Sequence, residues 1–543
     1  MLLGWRKAFD RRRARSGATT FSAVIATCSD RSVGAHVPKR WRRALLLALT
    51  SVALSRAEVR LGTPFQDHAV LQRDRPVRIW GWARPGESVR VTLGELPPGI
   101  ASADARGSWV VTLPALPASL APRTLSAEGS TRAIARDVQV GEVWLAAGQS
   151  NMEWRLKFAA SGETDVATAD FPAIRQLKVA RNPRSERQTE AAAAWSVCSP
   201  STAGDFSAVG FHFARELWLA LRVPIGLINC SHGNSAVEGW MSREALAADP
   251  AFRGVADRWN EVLARYPAAR ERHEAALRRW EQEATTARAA GASPPNRPAV
   301  PVGPGHHQEP SALFNGMIAP VVGYGVRGFL WYQGEGNARR AGEYERLFGA
   351  LIRQWRHDFG APEAPFFWVQ LPGLGRMPPT TTPEDWVALR AAQTATLALP
   401  ATGQAVTIDV GDPTDIHPLR KREVGERLAR LARRRVYGQV VTDEGPALQA
   451  ARRDGAAVEL EFIHAAGGLR LGGEPARAFE LADREGRFSA ASEVVLLPGN
   501  RLRLTAPGVD RPVHVRHAWQ ALPAGWLQNN EGLPAPPFSM RVD

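Results

Sequence analysis

The sequence predicts an α/β protein in which a parallel sheet flanked by helices lies between two β-domains and carries a helical insertion. Three observations support this fold class. Short runs of alternating hydrophobicity, broken by Gly and Pro, occupy residues 58–140 and indicate an antiparallel β-domain. Strand-like runs then alternate with helical patterns over residues 141–437, which is typical of a parallel sheet. Short strands with Gly and Pro turns return over residues 438–543.

Residues 1–57 are predicted to be a leader. A basic stretch at residues 39–43 precedes an apolar core at residues 44–54, and the cleavage site follows at Ala57. We therefore expect a signal peptide and a secreted or periplasmic protein without a stable membrane span after cleavage. The apolar core is too short to span a bilayer as a permanent helix, although an uncleaved anchor is the alternative. Residues 1–38 are Arg-rich without hydrophobic periodicity, so the true start of translation is open.

The net charge of +14 is concentrated in the leader. Residues 1–57 hold twelve Lys or Arg and two Asp, which leaves 56 basic and 52 acidic side chains in the remainder. That balance gives no reason to expect nucleic acid as a partner. Cys28 would leave with the leader. Cys198 and Cys230 are expected to be buried thiols rather than a disulfide, and their spacing indicates no metal site.

The predicted elements follow in chain order. The clearest strand patterns of the first β-domain lie at residues 77–82, 89–93 and 109–113. Later strands are predicted at residues 143–147, 224–230, 328–332, 365–370 and 404–410, and helices at residues 209–221, 343–359 and 418–437, the last starting at Pro418. Because ligands of parallel sheets bind beyond the carboxyl ends of the strands, the residues after these strands are the first candidates for function.

A highly charged segment interrupts this alternation at about residues 250–305. A helical pattern at residues 259–290 is followed by a Pro- and Gly-rich stretch at residues 293–305. We interpret the segment as an inserted helical hairpin whose loop returns the chain to the site. Its charges are those of a solvated helix face rather than of a docking surface.

Ser150 is the best candidate for chemistry, within the stretch GEVWLAAGQSNMEW at residues 141–154. The apolar run predicts a buried strand, and Gly148 permits a close approach of the backbone. The N–H groups after Ser150 begin a helix whose positive end suits an oxyanion. A nucleophile needs this geometry. The alternative is that Ser150 and Asn151 only cap a helix.

Small or polar residues also follow two other predicted strands. Gly233 comes after the strand at residues 224–230, and it can bring a backbone N–H into a site with no side chain in the way, unless it only makes a turn. Gln333 and Asn337 come after the strand at residues 328–332. Their amides can donate to an oxyanion, or they can be structural polar plugs.

His417 follows the strand predicted at residues 404–410, with Asp412 and Asp415 close to it in the sequence. Catalysis by a serine needs an imidazole to take its proton and a carboxylate to hold the imidazole tautomer. Ser150, His417 and Asp415 supply these parts, with Asp412 as the reserve carboxylate.

An oxyanion would be bound by donors from three strand ends. We expect the backbone N–H groups of Ser150 and Gly233, and a side-chain amide from Gln333 or Asn337, to supply them.

Five blocks of the sequence, in order, carry a resemblance to a known family. They are GEVWLAAGQSNMEW, PIGLINCSHGNSAVEGWMS, ALFNGMIAPVVGYGVRGFLWYQGEGNA, DVGDPTDIHPLRKREVGERLARLA and VRHAWQALPAGWLQNNEGLPAPPFSM. Over residues 58–543 the chain resembles the sialate O-acetylesterase family and related carbohydrate acetylesterases of the SGNH (GDSL-like) hydrolase superfamily.

The resemblance implies an SGNH-type sheet and hydrolysis of acetyl esters on sugars by a Ser-His-Asp mechanism, without a metal or an organic cofactor. By position it implies Ser150 as nucleophile, His417 as general base and Asp415 as acid. It implies Gly233 and Gln333 as oxyanion donors. An acetylated sugar or glycan is the expected partner.

We also expect several side chains beside these blocks to contact the substrate. They are Gln149, Asn151, Glu335 and Trp240. Trp154 and Trp331 are further candidates to offer a flat face to a sugar ring, but core packing is the favoured interpretation for any single Trp.

Two places depart from the pattern of the family. Where the family commonly has Gly-Gly-Thr, this chain has Gly233, Asn234 and Ser235, with His232 at a position that is usually aromatic. Gly336 replaces the serine of Gly-Glu-Ser-Asn. These departures leave the triad in place but bear on the sugar pocket and on the choice of amide donor.

The leading hypothesis is therefore a secreted serine esterase that removes O-acetyl groups from a carbohydrate. Sialic acid and plant polysaccharides such as acetylated xylan are both open as substrates. The hypothesis from another class is a catalytically silent carbohydrate-binding protein that keeps the fold.

Overall fold

The computed structural model describes residues 58–465 and 467–543. The predicted leader, with its apolar core, its cleavage site and Cys28, lies outside the described residues. Within the described ranges, no helix has the length and apolar composition needed to cross a membrane.

Seven short strands come first and pair mainly antiparallel. They are β1 (Arg60–Leu61), β2 (Val70–Gln72), β3 (Val77–Trp82), β4 (Ser88–Leu93), β5 (Gly99–Ser102), β6 (Ser108–Leu113) and β7 (Ser119–Glu128). β3 lies between β1 and β6, and β4 lies between β5 and β7. β6 buries alternate side chains, as a strand with one face on a core does. The strands predicted at residues 77–82, 89–93 and 109–113 are thus confirmed.

A mixed sheet forms the centre of the fold. Its strands are β8 (Arg132–Gly148), β9 (Phe171–Val179), β10 (Ala193–Cys198), β11 (Ile225–Ser231), β12 (Gly328–Tyr332), β13 (Phe366–Val369) and β14 (Thr402–Ala405). They lie in the order β10-β9-β11-β8-β12-β13-β14. All neighbours along this path are parallel except β10, which runs antiparallel to β9. Together with the helices below, this sheet gives the chain its α/β character.

Strand β8 is shared between the first strands and the central sheet. Its first half pairs antiparallel with β7, and its second half pairs parallel with β11 and β12. Every residue from Val138 to Gly148 is buried, because both faces of this half of the strand are covered. The domain boundary predicted after residue 140 falls inside this continuous strand.

Four of the five later predicted strands are confirmed, and the fifth is partly wrong. The strand predicted at residues 143–147 lies within β8. β11, β12 and β13 match the predictions at residues 224–230, 328–332 and 365–370. β14 ends at Ala405, and residues 408–410 form a 3₁₀ turn instead of continuing the strand. The carboxylate of Asp409 in this turn accepts two bonds from Arg427, both of 2.6 Å. This ion pair holds the turn against Arg427.

Eight α-helices complete the described part of the chain. They are α1 (Ser150–Glu153), α2 (Gly162–Ala167), α3 (Ala208–Leu221), α4 (Arg243–Ala247), α5 (Arg253–Ala289), α6 (Ala341–Asp358), α7 (Pro383–Ala395) and α8 (Lys421–Arg435). α3 and α6 confirm the helices predicted at residues 209–221 and 343–359. α8 starts at Lys421, so the helix start predicted at Pro418 is wrong. Asn151 Nδ2 donates to the carbonyl of Ile416, which holds the preceding residues in a loop.

The insertion is one long helix and not the predicted helical hairpin. α5 is 37 residues long and includes Pro267. The chain then returns without regular structure along this helix. Trp280 Nε1 donates to the carbonyl of Pro295 at 2.8 Å, and Tyr266 packs against Gly303. The Pro and Gly residues at 293–305, predicted to form the loop that returns the chain, lie in this return segment, where they disfavour a second helix.

The last part of the chain forms short antiparallel strands. They are β15 (Ala447–Asp454), β16 (Ala457–Ile463), β17 (Leu469–Gly473), β18 (Phe479–Ala482), β19 (Phe488–Ala490), β20 (Glu493–Leu497), β21 (Arg501–Thr505), β22 (His514–His517), β23 (Gly525–Asn529) and β24 (Phe538–Arg541). Their buried side chains, including Leu460, Phe479 and Val515, form a cluster separate from the main core. The change back to short strands after residue 438 is as predicted.

Cys198 and Cys230 are buried free thiols. Cys230 Sγ lies 3.4 Å from the carbonyl oxygen of Met317. Burial raises the pKa of each thiol to about 12. The expectation of thiols rather than a disulfide is confirmed.

Candidate active site

The site begins where β8 ends. Gly148 has a φ of 136°, and a Cβ at this position would clash with the carbonyl oxygen of Tyr332 in β12. Only glycine therefore lets the two strand ends come this close. Ser150 opens α1, the helix start expected from the sequence, which is a single turn of four residues. As the first residue of this turn, Ser150 has a backbone N–H with no acceptor inside the helix.

An imidazole meets the serine hydroxyl. Nε2 of His417 lies 2.9 Å from Oγ of Ser150. His417 belongs to the loop before α8, beyond the end of β14. Its ring stacks on Trp154, with centroids 5.2 Å apart and planes 22° from parallel. Trp154 thereby fixes the plane of the imidazole that faces Ser150.

Asp415 is the carboxylate that contacts this imidazole. Its Oδ1 lies 3.2 Å from Nδ1 of His417 and also accepts the backbone N–H of His417 at 2.9 Å. Asp412 instead accepts two bonds from Thr414, of 2.7 and 3.0 Å, and the backbone N–H of Asp415. Of the two candidates, Asp415 orients the imidazole, whereas Asp412 shapes the turn.

The electrostatic surroundings keep His417 neutral. Burial lowers the pKa of His417 below its ordinary value, the nearby Asp415 raises it in part, and Lys421 lowers it further. A neutral imidazole with Nδ1–H directed at a carboxylate carries its lone pair on Nε2, which can accept the proton of Ser150. At neutral pH the ring is therefore in the state that a general base needs.

Asn151 and Glu335 support the site from behind and do not face a substrate, contrary to expectation. Asn151 is fully buried and donates to Glu335 Oε1 at 2.6 Å and to the carbonyl of Ile416 at 3.0 Å. Its Oδ1 accepts a bond from Lys421 Nζ. Burial raises the pKa of Glu335, whose carboxylate lies inside this network. Asn151 thus ties the loop of His417 to the serine turn.

Lys421 is a site residue that the sequence analysis missed. It is buried, and this lowers its pKa to about 7. Its Nζ lies 5.7 Å from the ring centroid of Trp154 and 5.4 Å from that of Tyr332. The sequence feature that could have identified Lys421 is its position, four residues after His417 and at the start of a helix.

Gln149 is also turned inward. Its Oε1 accepts the backbone N–H of Gly336 at 3.2 Å and that of Gly334 at 3.4 Å. This side chain holds the loop after β12 against the serine turn. Its carbonyl end is therefore occupied by the protein and not available to a substrate.

Gly233 lies beside the serine, but its N–H is engaged. A Cβ at Gly233 would be 3.5 Å from Cβ of Ser150. The N–H of Gly233 donates to Glu153 Oε2 at 3.0 Å, and Arg181 donates to both oxygens of Glu153 at 2.7 and 2.6 Å. The sequence analysis missed Glu153 and Arg181, although Glu153 stands only three residues after Ser150. The expected oxyanion donor is thus bound to a carboxylate in this structure.

The amides of Gln333 and Asn337 are structural plugs and not oxyanion donors. Both residues are buried. Gln333 Nε2 donates to the carbonyl of Ser235 at 3.0 Å and to Asn337 Oδ1 at 2.7 Å, and Asn337 Nδ2 donates to Glu238 at 2.9 Å. Buried polar atoms need partners, and these amides find them within the loops.

Trp240 and Trp331 belong to the core. Both are fully buried, and their rings meet edge to face with centroids 6.1 Å apart. The expectation that Trp240 faces a sugar is wrong, and the core packing favoured for Trp331 is confirmed, because aromatic packing between the sheet and α6 encloses both rings. Among residues 58–465 and 467–543, no group of three or more His, Cys, Asp or Glu has a metal-binding arrangement.

Comparison with known proteins identifies the family. Residues 140–288 and 308–434, slightly more than half of the chain, match the sequence profile described as carbohydrate esterase, sialic acid-specific acetylesterase. The chain belongs to this carbohydrate esterase family. The resemblance seen in the sequence is confirmed, and the chain is a carboxylic ester hydrolase.

Members of the family with known names extend the match over most of the chain. Sialate O-acetylesterase of Mus musculus is 29% identical over 89% of this chain and 94% of its own length. Sialate O-acetylesterase of Homo sapiens is 29% identical over 68% of this chain and 69% of its own length. The crystal structure of a carbohydrate acetylesterase from Xanthomonas citri is 35% identical, with a TM-score of 0.73, and covers 89% of this chain and 99% of that one.

Proposed function

We propose that the chain is a secreted serine esterase that hydrolyses O-acetyl esters on carbohydrates. The observation that carries this proposal is the contact of Ser150 Oγ with His417 Nε2, backed by Asp415 on the other ring nitrogen. The family membership and the names of the relatives support acetyl esters of sugars as substrates.

The reaction proceeds in two halves. Ser150 Oγ attacks the acetyl carbonyl carbon while His417 Nε2 takes the hydroxyl proton. The ester C–O bond then breaks, and His417 returns the proton to the sugar oxygen. Water attacks the acetyl-serine with His417 again as the base, and acetate leaves as Ser150 regains its proton.

The oxyanion is stabilised by two backbone donors. The N–H of Ser150 points from the start of α1, where the partial positive charge of a helix end also lies. The N–H of Gly233 becomes the second donor when the negative carbonyl oxygen displaces the carboxylate of Glu153. Arg181 retains that carboxylate at the edge of the site.

We further propose an SGNH-type sheet, three domains and export of the protein. The six neighbouring parallel strands in the order β9-β11-β8-β12-β13-β14 support an SGNH-type sheet. We assign the catalytic domain to residues 141–437, with β-domains at residues 58–140 and 438–543 that shape the cleft. Export to the periplasm or the medium rests on the leader pattern at residues 1–57.

Acetate release from acetylated sugars tests the proposal. The parent protein is expected to release acetate from acetylated sialic acid or acetylated xylan, assayed in parallel. Ser150→Ala should lower kcat/KM for the sugar ester and for nitrophenyl acetate by about four orders of magnitude. Parent-level activity in Ser150→Ala would remove Ser150 from the mechanism. Sugar binding without acetate release would favour the silent binding protein instead.

A further inference from the structure

A small cavity lies between the inserted helix and the loops that surround the catalytic serine. Its volume is about 210 Å³, below the roughly 300–1,000 Å³ of pockets for drug-sized ligands. The inner wall contains Asn234, Ser235 and Gly336. Asn234 follows Gly233, where a Cβ would lie 3.5 Å from Cβ of Ser150, and the N–H of Gly336 donates to Gln149, the neighbour of Ser150, so the residues of this wall adjoin the serine turn.

The inner wall is made by the residues that depart from the family pattern. Asn234 and Ser235 depart in one loop and Gly336 in the other. A Cβ at Gly336 would clash with the carbonyl oxygen of Ser235, so the two departures are in direct contact. The glycine allows the loops to close on each other here. The inner wall of the cavity is therefore made by two loops in direct contact.

Helix α5 supplies the outer wall. Val255, Trp259 and Val262 line the cavity from one face of the helix, at the i, i+4 and i+7 positions. Trp259 is half-buried, in contrast to the fully buried Trp240 and Trp331. Val302 of the return segment closes the cavity, within the stretch between residues 288 and 308 that the family profile does not match.

The charged groups at the cavity are paired with each other. Arg258 donates to both oxygens of Glu343, each at 2.8 Å. Arg340 donates to Glu238 at 2.8 Å. Each guanidinium is therefore already neutralised, which disfavours a carboxylate-bearing ligand. Polar groups beside an indole ring instead suit a ligand with hydroxyl groups and an apolar ring face.

We propose that this cavity is a binding subsite for a neutral sugar ring, adjacent to the acetylated unit of the substrate. The ring stacks its C–H face on Trp259, and its hydroxyls bond to Asn234 and Gln308 at the same cavity. The subsite rests on the proposed esterase function and deepens it, because it favours acetylated neutral oligosaccharides over free acetylated sialic acid.

The test compares two substrates in three variants. For each protein, kcat/KM is measured on an acetylated xylo-oligosaccharide and on nitrophenyl acetate, which has no sugar. Trp259→Ala should lower the ratio of the two values about tenfold, mainly by raising KM for the oligosaccharide. Trp259→Phe, which keeps a ring, should retain most of the ratio. Trp218→Ala, at a half-buried Trp of α3 that does not line the cavity, should keep the parent ratio.

Binding without turnover separates this proposal from the serine mechanism. In a Ser150→Ala background, calorimetry with an unmodified xylo-oligosaccharide should show about tenfold weaker binding when Trp259 is also replaced by Ala. An unchanged affinity, or an equal loss of kcat/KM on both substrates, would overturn the subsite. Activity retained by Ser150→Ala would overturn the serine mechanism alone, and the binding measurement would still decide the subsite.

Discussion

Ser150 Oγ and His417 Nε2 lie 2.9 Å apart, although 267 positions of sequence separate the two residues. Asn151 is next to Ser150 in the sequence, and Ile416 is next to His417. Asn151 donates a hydrogen bond to the carbonyl of Ile416 and so connects the two segments a second time. The serine turn and the histidine loop are thus joined at two adjacent points. This double connection holds the distance between nucleophile and base in the absence of substrate.

The two aspartates of the histidine loop should differ in their effect on activity. Asp415→Asn loses the carboxylate that holds Nδ1–H of His417, so kcat should fall about 10²- to 10⁴-fold. Asp412→Asn changes only the turn and should cost less than about tenfold. Steady-state kinetics on nitrophenyl acetate measures both. A larger loss in Asp412→Asn would exchange their assigned roles.

The pH dependence of kcat/KM should report on His417. Its pKa is lowered, so activity should fall only as the pH drops below the ordinary imidazole value near 6.5. Lys421, with a pKa of about 7, is charged in that range and disfavours the imidazolium. Lys421→Met should therefore move the acid limb to higher pH.

The control for this pH experiment is Arg420→Met, which removes a neighbouring charge that is paired with Glu423 instead. Its acid limb should coincide with that of the parent. A limb that stays in place in Lys421→Met would show that Lys421 does not tune His417.

Glu153 is expected to limit the rate. Although burial raises the pKa of Glu153, the bonds from Arg181 outweigh it and hold the pKa below its usual range, so the group is charged. Glu153→Ala frees the N–H of Gly233 and exposes the charge of Arg181 to the oxyanion. We expect kcat to rise by roughly two- to tenfold, within the value of one charged hydrogen bond. A fall of kcat relative to the exposed-site control Glu163→Ala would contradict the displacement of Glu153 by the oxyanion.

Gly148 should not tolerate a side chain. Gly148→Ala forces a Cβ against Tyr332 at a positive φ, which should lower the free energy of unfolding by about 1–3 kcal/mol and reduce activity. Gly342→Ala, in open space within α6, should be neutral or stabilise by up to about 1 kcal/mol. Thermal or urea unfolding compares the two. Equal stability of both variants would be inconsistent with the close approach at Gly148.

The buried cysteines should resist alkylation in the native protein. With each pKa raised to about 12, Cys198 and Cys230 are protonated at pH 8 and shielded from reagent. Iodoacetamide followed by peptide mass spectrometry should find both unmodified in native protein and modified in denaturant without a reductant. A requirement for reductant would indicate a disulfide.

The positions of the strand ends predicted which loops lie together at the serine. Parallel strands place their carboxyl ends at one edge, so the loops of Ser150, Gly233 and His417 could be expected together before any coordinates. The strand ends did not predict the direction of individual side chains. Gln333 and Asn337 follow the right strand, yet their amides bond within the loops because buried donors must be satisfied.

The sequence by itself determined the strands β11–β13, the helices α3 and α6, the turn of Ser150, the loop of His417 and the family. These depend on local periodicity, on glycine and on short motifs, all of which act over a few neighbouring residues. Only the tertiary structure decided that Asp415 and not Asp412 contacts His417. It also decided that the N–H of Gly233 donates to Glu153 and that Lys421 lies against the ring of Trp154. Such pairings join residues from separate elements, and hydrogen bonds and burial select them only after the chain has packed.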